Sequence, residues 1–129
     1  RQGNLAPRLL SLINMTQAEF SKRFKGSPIK RSKRRGFLRN VAVALGNWKH
    51  PATVPALKKA LNDDEPLVRE HAAWALGQIG GGPARTALQA RLSVETYPEV
   101  IREIEDAMRV NPRGSTAQHL STHRIRNIP

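Results

Sequence analysis

The 129-residue chain repeats itself at intervals of about thirty-one residues, and this limits its architecture more than any other feature. A shift of thirty-one lays Ala44-Leu45-Gly46 on Ala75-Leu76-Gly77, and Ala56-Leu57 with Leu61 on Ala87-Leu88 with Leu92. A shift of thirty-two lays Pro66, Val68 and Leu76 on Pro98, Val100 and Met108. A two-helix unit of this length cannot bury its apolar face alone and must stack on its neighbours. The expected fold is therefore all-α, a short right-handed α-solenoid. With aromatic residues at 5% of the chain, packing has to rest on Leu, Ala, Val and Ile, which suits close helix contacts.

Local signals divide the chain into helices. Leu5, Leu9, Leu10, Leu12 and Ile13 predict a short opening helix ending near Asn14. Thr16 with Glu19 forms the pattern of a capping box, which starts a helix at Gln17 that should run to about Lys25 and stop at Gly26. Ser27 and Pro28 serve as N-cap and N1 of the next helix, whose apolar positions Ile29, Phe37, Leu38, Val41, Leu45 and Trp48 continue at helical spacing. Gly36 within it predicts a close packing contact or a kink. Further helices are expected over 53–61, from Asp63-Asp64-Glu65-Pro66 to Ile79 before Gly80-Gly81-Gly82, over 83–92 and over 97–110. The acids 63–65 read as helix-start residues. The last stretch, 111–129, reads as an irregular tail. The expected organisation is leading short helices over 1–26, repeats over 27–110 and the tail.

Within this frame, residues 63–80 read DDEPLVREHAAWALGQIG. Pro66, Val68, Arg69, Ala72, Ala73, Ala75, Leu76 and Gly77 resemble the short HEAT-like repeat of the phycobilisome-lyase type. That resemblance implies a fold rather than a function.

Charge is the best handle on function. The net charge is +12, and it is unevenly placed: residues 1–50 hold twelve Lys/Arg against one acid, Glu19, whereas residues 51–110 hold seven against nine acids. Lys30, Arg31, Lys33, Arg34, Arg35 and Arg39 crowd one end of a helix, and Lys22, Arg23 and Lys25 on the preceding one extend the patch. Like charges one turn apart repel, and a polyanion removes that repulsion while releasing counterions. These nine residues are the candidate nucleic-acid-binding set. The alternatives are a solvated charged face and a surface for an acidic protein.

Other chemistries find little support. The chain has no Cys, so it offers neither a disulfide nor a thiolate metal site. There is no Gly-rich phosphate loop or nucleophilic constellation, and His50, His71, His119 and His123 are scattered. No catalytic residue or metal ligand is expected. His71 reads as a partly exposed repeat residue. Trp48 and Trp74, at near-equivalent repeat positions, read as core, with base stacking as the lesser reading. The longest apolar run, Val41 to Leu45, is far too short to span a membrane, and no signal peptide is evident.

The segment 27–47, SPIKRSKRRGFLRNVAVALGN, closely resembles the corresponding block of epoxyqueuosine reductase, an enzyme of queuosine synthesis in tRNA. The Ser27-Pro28-Ile29-Lys30-Arg31 start and Arg39-Asn40-Val41-Ala42 are the most specific part, and the resemblance extends over 5–108. It implies a C-terminal, HEAT-like portion of a cytoplasmic oxidoreductase that helps hold tRNA and is itself non-catalytic. In that family cobalamin and two [4Fe-4S] clusters belong to upstream catalytic and ferredoxin-like domains, which would be partners of this region. No cofactor is expected within the chain. Its start at Arg1 rather than Met also suggests a piece of something longer. The alternatives are a free-standing HEAT-like scaffold for an acidic protein, and a DNA-binding protein resembling the HEAT-like alkylpurine glycosylases.

Overall fold

The small residues of the repeated Ala-Leu-Gly signature decide how closely the helices stack. The structure, a computed structural model, describes residues 8–24 and 31–109. Its elements are α1 (residues 8–12), α2 (Gln17–Arg23), α3 (Arg31–Trp48), a 3-10 turn (Pro51–Thr53), α4 (Val54–Ala60), α5 (Pro66–Ile79), α6 (Gly82–Leu92) and α7 (Pro98–Arg109), with no strand among the described residues. α5 is the central helix and packs against both α3 and α7, with α4 and α6 also in contact with it. A Cβ added to Gly46 of α3 would lie 2.9 Å from the Cα of Ala75 in α5. One repeat later, a Cβ on Gly77 of α5 would lie 2.8 Å from the Cβ of Ala107 in α7. Ala75 and Gly77 sit about 200° apart around α5, so the two contacts are made on opposite flanks of it. Every residue of α5 from Val68 to Gln78 except Glu70 is buried.

Repeat-related positions are buried alike, which is what a stack of equivalent units requires. Leu45 and Leu76 are fully enclosed, as are Val68 and Val100, and Leu57 is too, with its counterpart Leu88 nearly so. Leu61 is buried, whereas its counterpart Leu92 at the end of α6 is partly exposed.

Helix ends follow local chemistry. The Thr16 hydroxyl accepts from the Glu19 amide at 3.1 Å, and the Glu19 carboxylate accepts from the Thr16 amide at 2.9 Å. Pro66 opens α5 at its first position, and the left-handed Gly80 and Gly81, at φ 71° and 89°, separate α5 from α6. The stretch 53–61 begins as the 3-10 turn before becoming α4. Two expectations are corrected here. Gly36 makes no close contact, since a Cβ there would meet nothing within 4 Å. His71 is buried rather than partly exposed, with its Nδ1 2.9 Å from the Leu67 carbonyl oxygen.

The interhelical loops are held by buried ion pairs. Arg69 donates from Nε to Glu95 Oε1 (2.9 Å) and from a terminal nitrogen to Oε2 (3.0 Å), while its other terminal nitrogen donates to the Asp63 carbonyl at 2.7 Å. Arg91 adds a 2.9 Å bond to Glu95, whose Oε2 also accepts from the Tyr97 amide at 3.1 Å. Burial by itself pushes the Glu95 carboxyl up, but the bonds from Arg69, the Tyr97 amide and Arg91 outweigh it and lower its pKa from 4.5 to about 2. The Arg69 guanidinium also lies 5.3 Å from the Tyr97 ring centroid.

Candidate nucleic-acid interface

α3 carries no acid along its eighteen residues, so nothing on the helix itself neutralises its cations. Its buried side, Leu38, Val41, Ala42 and Leu45, faces the core and leaves the remaining positions toward its edges and solvent. Lys33, Asn40 and Asn47 recur every seven residues on the exposed side. Arg35 and Arg39 lie one turn apart and are half-buried at its edge.

α2 is fixed against this stretch by aromatic packing. The Phe20 and Phe24 rings are 4.6 Å apart, and each lies 5.7 Å from the ring of Phe37 on α3. Lys22 and Arg23 are both exposed in the last turn of α2, with Lys22 on the side of that helix away from the Phe20–Phe24 face.

The candidate cations separate once their partners are placed. Lys33 is exposed, and Arg39 donates, among the described residues, to the neighbouring Asn40 side chain at 3.2 Å. Arg35 reaches Glu65 at 3.4 Å with 42% of its side chain still exposed, a loosely held pair in contact with water. Arg34 requires a correction. It is 7% exposed, donates from Nε to the Met15 carbonyl at 2.8 Å, and forms a bidentate pair with Asp63. It therefore joins the α1–α2 turn to the α4–α5 loop and is part of the framework, not of the outer face. Asp63 is correspondingly more than a helix-start acid, because its carboxylate also accepts from the Glu65 amide at 3.0 Å. Lys25, Lys30, the Ser27-Pro28 cap, the tail, His119 and His123 lie outside the described residues, as does the side chain of Arg31.

The structure also displays groups that the charge run did not single out. Lys58 and Lys59 are exposed in the last turn of α4. Trp48, expected in the core, is 36% exposed and stacks on His50 with ring centroids 4.7 Å apart, while Trp74 is 5% exposed. The physical reason is that α3 ends at Trp48, so no further turn covers it. Among the described residues, no group of three or more His, Asp or Glu stands in a metal-binding arrangement, and no helix is long and apolar enough to cross a membrane. An iron–sulfur cluster takes Cys thiolates, which this chain does not contain, so its residues do not fit one.

Comparison with known proteins gives a family match to HEAT repeats over residues 30–109. The chain belongs to the HEAT-repeat family. Among relatives of this HEAT-repeat chain, the epoxyqueuosine reductase of Xanthomonas campestris pv. campestris is 48% identical over 73 residues, covering 56% of this chain and 21% of that enzyme. The epoxyqueuosine reductase of Shewanella oneidensis is 40% identical over 83 residues, covering 62% and 21%. A crystal structure of epoxyqueuosine reductase with a tRNA-Tyr epoxyqueuosine-modified stem loop matches with a TM-score of 0.69 and 28% identity, over 79% of this chain and 28% of that one. The resemblance read from residues 27–47 thus holds, and it concerns a segment: the HEAT-repeat chain spans about a fifth of the length of the curated relatives it matches.

Proposed function

We propose that this HEAT-repeat chain is the tRNA-positioning portion of an epoxyqueuosine reductase and is itself non-catalytic. The reading rests chiefly on its likeness in fold and sequence to an epoxyqueuosine reductase crystallised with a tRNA stem loop. The acid-free α3 supports it, because Lys33, Arg35 and Arg39, with the exposed Lys22 and Arg23 of the neighbouring α2, offer cations to phosphates without a competing carboxylate on that helix. Reduction of epoxyqueuosine, with cobalamin and the iron–sulfur clusters that the family resemblance implies, belongs to other domains of a longer cytoplasmic enzyme. The HEAT-repeat stack holds the substrate for them.

Binding of a tRNA stem loop, titrated against salt, tests this. Engagement of about four phosphates gives a slope of log affinity on log salt of roughly −3 to −4. Replacing Lys33 and Arg39 by Glu should lower affinity while leaving the helical circular-dichroism signal and Tm unchanged. A flat salt dependence sinks the proposal. Equal affinity for an unrelated acidic protein would replace it with a protein-binding scaffold, and preference for duplex DNA would replace it with a DNA-binding one.

A further inference from the structure

The corner that follows α3 combines three features. Trp48 keeps 36% of its surface exposed while its ring lies nearly parallel to His50, at an interplanar angle of 26°. Between them Lys49 is left-handed at φ 60°, the one non-glycine residue with positive φ among those described. Its amide donates to the Leu45 carbonyl at 3.2 Å, the bond of a helix-ending turn whose left-handed position ordinarily takes Gly. A glycine would relax this turn, so Lys49 holds a strained backbone where it also places a cation. His50 is fixed as well: its Nδ1 accepts from the Ala52 amide at 3.0 Å, which leaves the ring proton on Nε2 and the imidazole plane locked against the indole.

The rest of α3 gives this stack a direction. Lys33, Asn40 and Asn47 form an exposed polar line with no acid on the helix, ending beside Trp48 about 22 Å from Lys33. At the start of that line cations attract phosphate. At its end the helix presents its negative dipole pole, which offsets the attraction of Lys49 for phosphate, and the exposed indole offers an aromatic surface to a ligand. A polyanion that carries flat aromatic groups fits both ends.

We infer that the Trp48–His50 stack is a docking platform for an unpaired nucleobase of the RNA whose phosphates lie along α3. The inference rests on the tRNA-positioning reading above and deepens it, because it assigns recognition of an unstacked base to a corner that the charge run does not include. The base adds to the exposed part of the indole and extends the existing stack, with Lys49 beside it. Base–aromatic stacking is tolerant of sequence, so the platform selects for an unpaired base rather than for a particular one.

Two ligands distinguish this from the parent reading: a tRNA stem loop, and a blunt RNA duplex with the same stem. Titrating the 129-residue chain with the stem loop should quench the fluorescence of Trp48, the exposed tryptophan, whereas the duplex should leave it unchanged. Trp48→Ala should weaken stem-loop binding about 5- to 150-fold, the loss expected for one stacked base, and leave duplex binding unaltered. Trp48→Phe should recover most of the lost affinity. Salt-dependent binding of the stem loop with no quenching, or equal losses of both ligands in Trp48→Ala, overturns the platform and leaves the parent reading standing. Absence of binding to either RNA overturns both. Should Trp48→Ala not fold, the quenching of the unaltered chain still decides the matter.

Discussion

Arg34 and Asp63, twenty-nine residues apart, form a bidentate pair, and Arg69 repeats the arrangement with Glu95 in the next loop. In each case an arginine from α3 or α5 clamps an acid in the loop that lies beyond the next helix, α4–α5 for Asp63 and α6–α7 for Glu95. Each arginine also donates to a backbone carbonyl of an earlier turn, Met15 between α1 and α2 or Asp63 between α4 and α5. Each acid accepts the amide two residues on, at Glu65 or Tyr97. The acids are thirty-two residues apart, in the register of the repeat, whereas the arginines are thirty-five apart, so successive loops keep the acid in register and reach it with an arginine from a different helical position.

Removing one member of such a pair leaves a buried charge uncompensated. Arg34→Met should therefore cost about 3–5 kcal/mol in urea unfolding, whereas Lys33→Met, in the exposed position beside it, should stay within about 0.5 kcal/mol. Similar losses for both would mean that Arg34 is not structural.

Glu95 predicts how stability depends on acid. Its folded pKa of about 2 lies below the ordinary 4.5, so its contribution is fully present above about pH 4.5 and is lost as pH falls toward 2. Glu95→Gln should be less stable at neutral pH, and its unfolding free energy should vary less between pH 5 and about 2 than that of the unaltered chain. Parallel pH profiles for the two would count against the clamp.

Two glycines make opposite predictions. At Gly77 a Cβ would sit 2.9 Å from the Cα of Ala107, which only a shift of backbone relieves, so Gly77→Ala should cost about 1–3 kcal/mol. Within α3, Gly36 has open space, and Gly36→Ala should stabilise by about 0.5–1 kcal/mol through helix propensity. Chemical denaturation of the two variants side by side checks the sign of each.

Leu76→Ala empties a fully enclosed position on α5 and should cost about 2–5 kcal/mol, with the helical signal retained at low temperature. A loss below about 1 kcal/mol would contradict the repeat register that places Leu76 with Leu45.

Helix starts and stops were legible in the sequence because their causes are local. The capping box at Thr16 and Glu19, Pro66 at the first position of α5, and the glycines after Ile79 act within a few residues. The repeat was legible too, since the periodic Ala-Leu-Gly and Leu positions map directly onto contacts of α3 with α5 and α5 with α7. Gly36 shows the limit: its spacing does not reveal whether another helix lies opposite.

The site was legible only in part. Six cations crowded at one end of a helix announce a positively charged surface, yet their order along the chain does not say which of them meets an acid from elsewhere. Arg34 turned inward because Asp63, brought to it by the packing of the α4–α5 loop, offered a bidentate partner out of water. Trp48 followed the apolar period of α3 and still lies at the surface, because burial depends on what continues past the helix end. The sequence by itself determined the repeat, the helices and the sign of the α3 face, all consequences of composition and short-range geometry. The tertiary structure alone decided which charges and aromatics stay exposed, because a charge such as Arg34 is claimed by an acid twenty-nine residues away and an aromatic such as Trp48 depends on what packs past its helix end.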